Sequence, residues 1–124
     1  MIRLWILIAG LAGLTAVAAG AMAAHALPDA RAVGLVTTGA QYAMFHALAL
    51  LGLAALAERG LGSARLLAVA GWCFVGGIAL FSGSLYLLGA TGRVGFAHVT
   101  PWGGGAFLLG WAALAVYGLT VKRR

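Results

Sequence analysis

Residues Leu4–Ala24 read LWILIAGLAGLTAVAAGAMAA, a run of 21 residues without a single charge. An α-helix rises ~1.5 Å per residue, so ~20 apolar residues cross the ~30 Å hydrocarbon core of a bilayer. Barrel strands would be about half as long and would alternate polar with apolar side chains. No such alternation occurs here, and lipid requires each backbone polar group to be satisfied within its own segment. The run therefore predicts a membrane-spanning helix. Three more runs of the same character follow, within Ala32–Ala57, within Ala64–Ala90, and from about Trp102 to Val121. The predicted spans are about 4–24, 35–57, 65–90 and 102–121. The charges gather at their ends.

Composition agrees with that reading. Of 124 residues, 64% are hydrophobic and only 8% are charged, against roughly 25% charged in an average soluble domain. There is too little polar surface to cover a water-soluble globule, which excludes a soluble enzyme, a disordered chain and a free-standing DNA-binding domain. The net charge of +6 would suggest nucleic acid in a soluble protein. Between apolar runs it instead orients the chain, so no nucleic-acid partner is expected, and the lipid bilayer is. The lone Cys73 permits no intramolecular disulfide.

The connections are short: His25–Arg31 (extending at most to Thr38), Glu58–Ser63 and Thr91–Thr100. Short connections make successive helices antiparallel neighbours, so the expected fold is all-α, one domain over residues 1–124, an up-down-up-down bundle of four transmembrane helices. Pro28-Asp29 suits the start of the second helix, and Thr100-Pro101 places an N-cap hydroxyl before a proline at the first helical position. Small residues recur three or four apart: Ala9, Gly13, Ala16 and Gly20, then Gly76, Ala79 and Gly83, then Ala106 and Gly110. That spacing lets membrane helices approach closely.

Cytoplasmic loops carry the excess of Lys and Arg. With the N-terminus inside, Arg3, Arg59, Arg65, Lys122, Arg123 and Arg124 lie inside and only Arg31 and Arg93 outside, six against two. Both termini are therefore expected in the cytoplasm, with Trp5 and Trp102 near opposite interfaces. Arg3, the apolar run and Ala21-Met22-Ala23 also have the form of a signal peptide with an A-x-A cleavage site, but the run exceeds the usual ~7–15-residue apolar region, so a permanent helix is expected.

On this topology the candidate polar cluster occupies the outer half: His25, Gln41, Tyr42, His46, Ser82, Ser84, Tyr86 and His98. Polar groups glue membrane helices together by hydrogen bonds. His46 is an ionisable group inside a span; such residues are rare there and tend to face the bundle interior. It is expected to share hydrogen bonds with Tyr42, Ser82 or His98. Three histidines suit a metal or haem in principle, but none are paired on one helix at ligand spacing and no carboxylate lies near in sequence, so no metal and no cofactor are expected. A Ser82–His46 hydrolase would need a positioned base and an oxyanion hole, for which four spans offer little scaffold. The glycines after Pro101 lack the lysine and spacing of a phosphate loop, Cys73 reads as a packed thiol, and Trp72 and Trp111 as bulk within the bundle.

Several of these residues also carry a resemblance. Gly20-Ala21-Met22-Ala23-Ala24-His25-Ala26-Leu27, Gln41-Tyr42-Ala43-Met44-Phe45-His46-Ala47-Leu48-Ala49-Leu50, Phe81-Ser82-Gly83-Ser84-Leu85-Tyr86-Leu87, Thr100-Pro101-Trp102-Gly103-Gly104 and Gly110-Trp111 resemble the YgdD/YwdK-type family of small bacterial inner-membrane proteins. The chain departs from the family pattern at Met22-Ala23, where a Phe-Gly pair is usual, and at Trp102, often aliphatic. The resemblance implies a four-span inner-membrane protein and no reaction. Two functions follow as expectations: a packing or partner-binding protein, associating with itself or a larger membrane complex, or a small-ligand, metal or lipid-headgroup site around His46.

Overall fold

A computed structural model describes residues 1–122; Arg123 and Arg124, counted in the charge bias above, lie outside the described residues. The chain forms α1 (Ile2–His25), α2 (Ala30–Arg59), α3 (Ala64–Thr91) and α4 (Thr100–Thr120). Among the described residues there is no strand. All four helices are long and apolar enough to cross a membrane, and the fold is an all-α, four-span antiparallel bundle.

Local chemistry sets the helix ends. Asp29 accepts from the Ala32 N–H at 2.7 Å, which satisfies an otherwise orphaned donor of the first turn. With that cap, α2 begins at Ala30, just after Pro28-Asp29 as expected, and so extends beyond the predicted span of about 35–57. Gly60 ends α2 and Gly92 ends α3, both in the left-handed conformation (φ 60° and 69°), which glycine adopts without a Cβ clash. Ser63 caps α3 through the Leu66 N–H. The Thr91–Thr100 connection is not plain loop, because Val94–His98 winds into a 3₁₀ turn. Thr100 does not cap α4 with its side chain. Its hydroxyl turns to Ser84 instead.

The helix α3 is not uniform. Residues Ile78–Ser82 form a π-helical turn. Its buried stripe runs through Leu67, Ala70, Phe74 and Gly77 in steps of three or four, takes a step of five to Ser82, then resumes at Leu85 and Leu88. The wide turn therefore rotates the packing face. This corrects the expected Gly76–Ala79–Gly83 stripe: a Cβ at Gly76 would meet nothing within 4 Å, and Ala79 is exposed. The close approaches are elsewhere. The Trp5 indole lies over Gly71, Phe107 over Gly77, Phe74 against Gly110, and the Phe81 backbone against Gly103. On α1 the contacts are made by alanines, Ala9, Ala12, Ala16 and Ala23, while Gly13 and Gly20 face open space.

The main core joins Trp5, Leu50, Leu53, Leu67, Phe74, Phe107 and Tyr117 from all four helices. Lipid supplies no hydrophobic drive between helices, so this dense packing holds the bundle. Trp5, in the first turn of α1, packs into the core and is 1% exposed, whereas Trp102 is 74% exposed. At the end holding Met1, the Ser63 N–H donates to Thr120 Oγ1 at 3.0 Å and the Lys122 N–H to the Leu61 carbonyl at 3.1 Å. These bonds fasten the end of α4 to the α2–α3 loop.

Candidate functional site

His46 is 3% exposed. It sits on the face of α2 that meets α3 and α4. Its Nδ1 lies 2.6 Å from the Tyr42 carbonyl oxygen, one turn earlier. A carbonyl only accepts, so Nδ1 carries a proton and donates. Its Nε2 lies 3.0 Å from Trp111 Nε1. An indole N–H only donates, so Nε2 is the acceptor. The two bonds together specify the neutral Nδ1–H tautomer and occupy both ring nitrogens.

Aromatic side chains close around the imidazole. Phe107 stacks on it with centroids 3.6 Å apart and planes 9° apart. Phe74 and Trp111 meet it edge-on at 5.2 and 5.8 Å. Tyr42 extends the group toward Phe81, 4.9 Å between centroids. His46 is therefore a hydrogen-bonded bridge from α2 to α4 within an aromatic box.

The other sequence-predicted residues do not join it. Tyr42 contributes its backbone carbonyl, while its side chain is 40% exposed. Ser82 is fully buried in the π-turn, and its hydroxyl has no partner. Ser84 donates to the Phe81 carbonyl or pairs with Thr100 Oγ1, at 2.9 and 2.6 Å, and so ties α3 to the start of α4. Tyr86 packs its ring against Gly39 of α2, with its buried hydroxyl unpartnered. His25, Gln41 and His98 are exposed and stand apart. The candidate cluster is thus divided. His46 shares its hydrogen bonding with Trp111 rather than with the side chains of Tyr42, Ser82 or His98.

Trp111 is the residue that sequence reasoning missed. It lies in an apolar run, where indole reads as bulk, and it is still 47% exposed. Its only signal was that α2 and α4 run in the same direction, with His46 and Trp111 both well inside their spans. Chemically, the arrangement holds no free base beside a nucleophile. Among the described residues, no three His, Cys, Asp or Glu side chains come together in a way that would hold a metal ion.

The fold and this internal polar bridge define a small polytopic membrane protein of four packed spans. Residues 19–104 match the family described as "Protein of unknown function (DUF423)", and the chain belongs to that family. It is 40% identical over 120 residues to the UPF0382 membrane protein YwdK of Bacillus subtilis, covering 92% of this chain and 94% of that one. It is 42% identical over 114 residues to a UPF0382 membrane protein of Haemophilus influenzae, covering 90% of each. It is 38% identical over 130 residues to the UPF0382 inner membrane protein YgdD of Escherichia coli, covering 98% of this chain and 94% of that one. No solved structure matches the chain. The molecular role of the family is unknown.

Proposed function

We propose that the protein is a non-enzymatic, packing or partner-binding protein of the bacterial inner membrane, acting as one four-helix domain over residues 1–124. The observation that carries this reading is the commitment of both His46 nitrogens within the bundle, to the Tyr42 carbonyl and to Trp111. A catalytic base or metal ligand needs a nitrogen free to face its substrate or ion. This imidazole spends both on holding α2 to α4. The inner-membrane location rests on the printed description of YgdD. The charge bias supports both termini in the cytoplasm.

The chain works by association, with a second copy or with a larger membrane assembly. Affinity capture of the tagged full-length protein in mild detergent, followed by mass spectrometry of proteins and small molecules, tests this. A self-complex or stoichiometric larger subunits is the expected outcome. A bare monomer carrying a stoichiometric metal or coloured cofactor would overturn it in favour of a site around His46.

A further inference from the structure

At the end of the bundle that holds Met1, a cavity of about 250 Å³ opens between α1, the end of α2 and the start of α3. Ile2, Trp5, Ala57, Gly60, Ala64 and Leu67 are among its walls, so the surface is mostly apolar side chain and glycine backbone, although the Trp5 indole N–H is buried without a partner. A buried water needs two to four polar partners, and these walls offer few. The favoured occupant is therefore apolar. The lining residues include the first residue of α1 and of α3 and the glycine that ends α2. The mouth thus lies at the depth where the helices leave the hydrocarbon and lipid headgroups begin.

The rim is basic. Arg3 follows Ile2, Arg59 precedes Gly60 and Arg65 follows Ala64, each beside a lining residue and each exposed. The Lys122 N–H bond to the Leu61 carbonyl brings a fourth cation to the same loop. Glu58 is the one carboxylate in that loop. The N-terminus of α3 adds the partial positive charge of a helix start. Basic pockets between membrane helices suit anionic headgroups.

We propose that this cavity takes one acyl chain of an anionic phospholipid of the surrounding bilayer, with the headgroup phosphate held among Arg3, Arg59, Arg65 and Lys122. The apolar slot selects the tail, and the rim selects the charge. Both leaflets of a bilayer offer such lipids, so the proposal holds for either orientation of the chain, and it is independent of the role of His46.

Native mass spectrometry of the full chain tests it, after exchange into nanodiscs of equal parts phosphatidylglycerol and phosphatidylethanolamine. One phosphatidylglycerol should be retained per chain, with a preference on the order of tenfold over phosphatidylethanolamine. Ala57→Leu fills the slot and should lose the retained lipid while chain elution and helicity stay unchanged. Arg59→Gln with Arg65→Gln should keep a lipid but lose most of the preference. Should Ala57→Leu fail to fold, Ala64→Leu at the exposed first position of α3 narrows the same slot and is read the same way. Equal retention of the two lipids by the wild type, or undiminished phosphatidylglycerol in a folded slot-filling variant, would overturn the proposal.

Discussion

The bond between Trp111 and His46 joins two helices through a donor that cannot accept and an acceptor that has no other partner. Removing one side leaves a buried polar atom unsatisfied, which costs more than removing both. In membrane bundles such bonds contribute ~0.6 kcal/mol on average and at most ~1.7. Trp111→Phe should therefore lower stability by about that amount, and a double-mutant cycle with His46→Phe should recover a coupling in the same range. Unfolding in graded denaturing detergent measures both. His46→Ala should cost more, because it also empties the space beneath Phe107. His46→Gln should fold and retain any cellular phenotype; a well-folded Gln variant that lost the phenotype would move the residue from structural bridge to site. The burial of His46 was legible in the sequence, since a lone ionisable group amid apolar residues must turn inward. Its partner was not, because an indole among Leu and Ala has no pattern of its own.

At the scale of the helix, packing depends on where a Cβ fits. Gly103 meets the Phe81 backbone, which cannot swing aside as a side chain can. A methyl there must push α3 and α4 apart, and overpacking of this kind costs about 1–3 kcal/mol. Gly103→Ala and Gly110→Leu should both reduce the yield of monodisperse protein on size-exclusion chromatography. Gly13→Ala should be neutral or stabilising by up to ~1 kcal/mol, because Ala is the better helix former and a Cβ there meets nothing within 4 Å. Gly13 sits in a small-residue stripe that the sequence alone marks as a packing face. The stripe was legible as a composition, and Gly110 does lie at a contact, but the phase was not. On α1, Ala12 rather than Gly13 turns inward. On α3, the π-turn at Ile78–Ser82 inserts a step of five that no periodic reading anticipates. The Phe81 backbone within that turn lies against Gly103, a tertiary contact that sequence spacing does not show.

For the molecule as a whole, four spans and their order were legible because a helix must be long and apolar to cross lipid, and each run met that demand by itself. Orientation rests on a different physical term, the retention of Lys and Arg on the cytoplasmic side. Arg3, Arg59, Arg65 and Lys122 belong to one end of the bundle and Arg31 and Arg93 to the other, and Arg123 and Arg124 follow Lys122 in the sequence. Reporter fusions after Arg124 and in the loop near Arg93 should therefore report opposite compartments, the first cytoplasmic. A periplasmic C-terminus would reverse the chain and carry the basic-rimmed cavity to the outer leaflet. The variant that removes Arg59 and Arg65 leaves Arg3, Lys122, Arg123 and Arg124 against Arg31 and Arg93, still four to two. Its topology should match the wild type in the same fusions. A change in its lipid preference then reports the lost headgroup contact and not an inverted protein. If the fusions instead showed that variant inverted or mixed, the two loop arginines would be the dominant orientation signal, outweighing the charges at the two termini.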